Sequence, residues 1–112
     1  MPRIRKCRSV CFEPENRIFY PEKSSEDFVT LTVEETEALR LADFEELEQS
    51  DCANIMNISR GTFQRILYNA RKKTAMAITQ GKGIKIDGGN YMVSDRKCNC
   101  EKDCIKCIKK SK

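Results

Sequence analysis

The chain has 112 residues, 39% hydrophobic and 34% charged, with a formal net charge of +4, seven cysteines and no histidine. This length suits one compact domain on its own apolar core, and no apolar run approaches the ~20 residues that a membrane-spanning helix needs. The odd cysteine count, with no apolar export signal behind the basic N-terminus, argues against a disulfide framework and for a cytoplasmic location.

Residues 1–11 read as a basic arm, with Arg3, Arg5, Lys6 and Arg8 and no acid among the first eight residues. Residues 12–23 place two prolines among aromatic and β-branched residues, which predicts short extended pieces and turns, because proline lacks the amide that a central ladder needs. Residues 24–29 predict a loop. Thr32 and Glu35 then form a capping box, the hydroxyl and the carboxylate each satisfying an orphan amide of the first turn. The helix they open is expected to run to about Leu47, with Leu39, Leu41, Ala42, Phe44 and Leu47 at helical spacing. Glu34, Glu35, Glu45, Glu46 and Glu48 are expected to face water.

Ser50 is positioned to cap a short helix through Met56, whose apolar face is Cys52, Ile55 and Met56 beside the small Ala53. Asn57 follows where the chain must turn sharply, and asparagine tolerates the left-handed conformation better than most residues with a Cβ. Ile58 is the apolar plug after the turn. Ser59 caps a long helix that buries Phe63, Ile66, Leu67, Ala70, Thr74, Ala77 and Ile78 and stops at Gly81. Ile84–Asp87 and Asn90–Val93 predict two strands of a β-hairpin around Gly88 and Gly89. The expected fold is mainly α: a three-helix helix-turn-helix core over residues 1–95, with short N-terminal extended segments and a C-terminal β-hairpin. A Cys-rich basic tail, residues 96–112, follows.

Charge is strongly segregated. Residues 13–51 hold thirteen acids against three bases, whereas residues 59–85 hold seven bases and no acid. A purely positive stretch of that kind is a plausible footprint for a polyanion, although a solvated helix face would look the same. Ser59, Arg60, Gly61, Thr62, Gln64, Arg65, Tyr68 and Asn69 lie off the buried stripe at the start of the long helix. Arginine can pair bidentately with guanine and glutamine with adenine. Thr62 stands where a capping-box glutamate would stand, so the positive helix end is left open to phosphate. Arg71, Lys72 and Lys73, with the basic arm, are candidates for phosphate contacts that give affinity without specificity.

The segment LTVEETEALRLADFEELEQSDCANIMNISRGTFQRILYNARKK resembles the C-terminal promoter-reading domain of bacterial sigma factors. The shared cues are LT-x-x-E-x-E-ALRL, the Ala-containing short helix, IS-R-x-T-x-x-R-x-L and the following AR-K. Together with PR-x-x-KCR-x-VCFEPE near the N-terminus and IDGGNY near residue 90, it also resembles a narrower group of predicted DNA-binding proteins, domain of unknown function one-three-four. That resemblance spans about residues 2–93 and implies DNA binding without naming a target. Two departures stand out: Asn57 occupies a turn position that usually holds glycine, and the short helix is poorer in alanine and glutamate than usual.

In the tail, Cys98, Cys100, Cys104 and Cys107 place four thiols within ten residues, a set suited to zinc or an iron–sulfur cluster. Cys7 and Cys11 form a second pair that could complete such a site or be ordinary strand residues. Cys52 reads as a small buried hydrophobe. No catalytic constellation is evident, so an enzyme is not expected. The leading expectation is a sequence-specific protein for double-stranded DNA, a transcriptional regulator responsive to metal or redox state, with a homodimer or an unnamed protein partner left open. Two alternatives stay open: a metal or iron–sulfur carrier whose helical part docks a protein partner, and an RNA-binding accessory protein.

Overall fold

A computed structural model describes residues 8–23 and 26–93. Two small sheets and three helices make up this part of the chain: β1 (Arg8–Val10), β2 (Ile18–Phe19), β3 (Phe28–Leu31), α1 (Val33–Leu39), α2 (Gln49–Met56), α3 (Arg60–Gln80), β4 (Gly83–Ile86) and β5 (Tyr91–Val93). A π-helical turn, Arg40–Phe44, continues α1. The fold is therefore mixed α/β, with strands on both sides of the helical segment, rather than mainly α.

The expected β-hairpin does not form. β4 is the central strand of a three-stranded sheet, antiparallel to β2 (Phe19 opposite Ile84) and parallel to β3 (Leu31 opposite Ile86). β5 belongs to the other sheet, parallel to β1, with Val10 opposite Val93. Gly88 and Gly89, at φ of 73° and 112°, carry the chain from one sheet to the other instead of reversing it on itself. The connection is held at the start of α1: Gly88 O accepts from Val33 N at 3.1 Å, and Glu34 Oε1 accepts from Asn90 N at 3.1 Å. A Cβ on Gly89 would collide with Glu34 Oε1, and the φ of 112° is itself one that residues with a side chain rarely adopt, so the position favours glycine. The strand at Phe28–Leu31 also falls partly within the span expected to be a loop.

The capping box at Thr32 and Glu35 is present, with both reciprocal bonds formed. Its helix is shorter than expected: the π turn ends at Phe44, Glu46 adopts a left-handed φ of 60°, and Leu47 N donates back to Leu41 O at 3.0 Å. Phe44, expected on the apolar side, is exposed. Glu34 and Glu35 are buried rather than solvated, because the Asn90 amide and the cap bonds compensate their desolvation. Glu37, 1% exposed, is held in a fork by Arg40 (2.8 and 3.0 Å) and also accepts from Cys11 N at 2.9 Å. The Arg40 guanidinium lies 5.4 Å from the Phe12 ring centroid and reaches Glu45 at 3.2 Å. Such a paired, hydrogen-bonded charge cluster is tolerated where an isolated charge would not be.

The apolar core has two parts. One joins α1, α2 and α3 through Ala38, Leu41, Met56, Phe63 and Leu67, with Cys11 and Cys52 among them. The other places Val10, Leu31, Val33 and Ile86 against Ala70 of α3. α3 thus packs on helices along its first half and on the sheets farther along. Ile78, expected on its buried stripe, is 74% exposed because neither layer reaches that side of the last turns.

Candidate nucleic-acid interface

α2 begins two residues earlier than expected, with Glu48 as its N-cap and no side-chain cap bond, so Ser50 is a first-turn residue and not the cap. At the other end, Asn57 takes the left-handed conformation at φ 60° and ψ 46°. Its amide donates to Asn54 O at 3.1 Å and that of Ile58 to Ala53 O at 3.0 Å, which closes the turn within two residues. Ser59 then caps α3, its Oγ accepting from Thr62 N at 3.1 Å. The Ser59 hydroxyl also donates to Thr62 Oγ1 at 2.9 Å, so Thr62 is half-buried and tied into the cap.

With Phe63, Ile66 and Leu67 facing the core, Ser59, Arg60, Gly61, Gln64, Arg65, Tyr68 and Asn69 are exposed on the first turns of α3. Gln64, Arg65, Tyr68 and Asn69 line one shallow depression. Two of these side chains are already engaged: Gln64 Nε2 donates to Gln49 Oε1 at 2.9 Å, and Arg65 Nη2 to Thr62 Oγ1 at 3.2 Å. Farther along α3, Arg71 forms a two-point pair with Asp43 (2.7 and 3.2 Å), and Lys73 bonds both Glu35 oxygens at 2.9 and 3.1 Å. The bond it donates to Asp43 raises the Arg71 pKa above its ordinary value, so Arg71 stays a cation. Lys72 is exposed. The acids that meet these bases come from the π turn and α1; the only sequence signal for them was the opposite charge of residues 13–51 and 59–85.

Of the basic arm, Arg8 lies among the described residues and Arg3, Arg5 and Lys6 lie outside them. Arg8 opens β1 beside Tyr91, and its Nε is buried without a hydrogen-bond partner among the described residues. The four tail cysteines and Cys7 are likewise outside the described residues. Cys11 is buried in the helical core and Cys52 beside it is fully buried. Among the described residues no group of three or more Cys, Asp or Glu side chains could hold a metal ion. No described helix is long and apolar enough to cross a membrane.

A family model described as "Protein of unknown function DUF134" matches residues 1–94. The chain belongs to the DUF134 family. Its similarity to curated relatives reaches beyond the residues that the family model matches. This DUF134 chain is 51% identical over 107 residues to a UPF0251 protein of Ruminiclostridium cellulolyticum, covering 96% of the chain and 84% of the relative. It is 50% identical over 109 residues to a UPF0251 protein of Caldicellulosiruptor bescii, covering 97% and 75%. With a UPF0251 protein of Clostridium botulinum strain Loch Maree it shares 51% over 110 residues, covering 96% and 68%. No solved structure matches this DUF134 chain.

Proposed function

We propose that this protein is a sequence-specific binder of double-stranded DNA and a transcriptional regulator, with α2 and α3 acting as a helix-turn-helix of the sigma-factor type. The observation that carries the reading is the start of α3. Directly after a left-handed turn, an acid-free, side-chain-capped helix end presents Arg60, Gln64, Arg65 and Asn69 to solvent. A helix N-terminus attracts phosphate, and these side chains carry the donors that read purine edges in the major groove. Tyr68 adds a flat apolar surface beside them. The sequence resemblance to the promoter-reading domain supports the same placement.

Selecting bound fragments from genomic DNA would supply a target. Fluorescence anisotropy on that duplex, an unrelated duplex and an RNA of equal length then tests the reading. Binding should favour the selected duplex and weaken steeply with salt. Replacing Arg60, Gln64 and Arg65 singly by alanine should erase roughly 1–3 kcal/mol of discrimination at the base each one reads. Full specificity in all three variants, or a preference for RNA, would refute it.

A further inference from the structure

The three consecutive bases of α3 are held in different ways. Lys73 is bound to Glu35, whose carboxylate is buried, 9% exposed, and already accepts the Thr32 amide in the cap of α1. Releasing Lys73 would disturb a helix start. Arg71 is bound to Asp43 at the surface, the side chains 54% and 43% exposed. A pair that open to water is weakly held and screened by salt. Arg71 also lines the same concavity as Arg60, whose other wall is formed by Ala42, Glu48 and Gln49.

We propose that Asp43 stands in for a DNA phosphate on Arg71, and that duplex binding exchanges the carboxylate for a phosphate. This rests on the DNA reading above and adds a partner and a residue to it. The guanidinium fork takes carboxylate and phosphate oxygens in the same two-point geometry, so the exchange needs no refolding of α3. Exchange leaves Asp43 as a bare carboxylate beside the DNA backbone, which must recruit a cation from solution. Asp43 therefore lowers affinity and flattens the salt dependence, whereas Lys72 contributes its phosphate contact without such a competitor, and Lys73 contributes none.

The test is anisotropy on a random-sequence duplex at several salt concentrations, because phosphate contacts are independent of sequence. The proteins are the full chain, Asp43→Asn, Arg71→Ala, the double variant and Lys72→Ala, with thermal melts to confirm folding. Asp43→Asn should bind about fivefold more tightly at low salt and steepen the log–log salt slope by about 0.9. Arg71→Ala should abolish both gains, making the double variant no better than Arg71→Ala alone. An Asp43→Asn protein indistinguishable from the parent, or a gain that persists in the double variant, overturns the exchange. If Lys72→Ala reduces the slope while Asp43→Asn changes nothing, the exchange alone fails; if the parent binds no duplex, the DNA reading fails and the exchange with it.

Discussion

Cys52 is fully buried, with its sulfur 3.7 Å from Leu47 O. Burial, and next the nearby Asp51 carboxylate, push its pKa from 9.0 up to about 11. An unfolded chain sheds this proton near 9.0 while the folded chain keeps it, so folding stability falls as pH rises from about 9 to 11. The gap corresponds to a few kcal/mol, on the order of 1.4 kcal/mol per pH unit, by the top of the window. Urea unfolding of the parent and Cys52→Ala, compared at pH values from about 8 to 11, should show their stability difference moving by that order in favour of the alanine variant. A difference independent of pH would refute the assignment. Asn57 carries a different constraint, its left-handed backbone. Asn57→Gly should leave the melting temperature unchanged or slightly higher. Asn57→Val should lower stability by about 1–2 kcal/mol, because a β-branched side chain clashes in that region. Equal melting temperatures for the two variants would argue against a left-handed residue there.

The link from β4 to β5 sets the architecture of the sheets, and Gly89 is its tightest point. Gly89→Ala would press a methyl group against Glu34 and Thr32 at a φ of 112°, whereas Gly88→Ala meets nothing within 4 Å. Thermal unfolding should therefore show Gly89→Ala losing about 1–3 kcal/mol and Gly88→Ala losing less; the reverse order would count against the described connection. These elements also show what was legible in the sequence. Thr32 and Glu35, Asn57, Ser59 and Gly81 act through neighbours within four residues, and each performs the local role its chemistry suggests. The Gly88–Gly89 pair has the same local signature in a hairpin and in a crossing between sheets. Its partner, Glu34, is distant in sequence, so local chemistry could not choose. Parallel pairing leaves no turn signature either, and β3, at four residues, is too short for a clear alternation. Glu34 looked like a solvent-facing acid because its partner, Asn90, also comes from far along the chain. The exposed face of α3 was readable from its period of apolar residues, but the bonds from Arg71 to Asp43 and from Gln64 to Gln49 were not.

At the scale of the molecule, the buried residues of both parts of the core lie, among the described residues, within residues 10–86. The helices bury their own apolar stripe, so they are expected to survive loss of a metal from Cys98, Cys100, Cys104 and Cys107. If the tail spacing does bind zinc or an iron–sulfur cluster, elemental analysis after anaerobic purification should find it, and a chelator should remove it at nearly constant far-UV helicity. Melting of the helices on chelation would instead tie the metal to the core. The strand pairing has a consequence in time as well as in space. α1, α2 and α3 follow one another directly, so their mutual contacts can close as soon as that stretch has left the ribosome. β1, by contrast, has as its ladder partner a strand that is synthesised after α1, α2 and α3, and β3 likewise waits for β4. Pairings this distant in the chain form slowly. A nascent chain thus carries a packed helical unit while Arg8–Val10 has no ladder to anchor it, and the placement of that strand is a late event of synthesis. In refolding followed by pulsed hydrogen exchange, amides of α2 and α3 should gain protection before those of β1 and β5, and simultaneous protection would contradict this order.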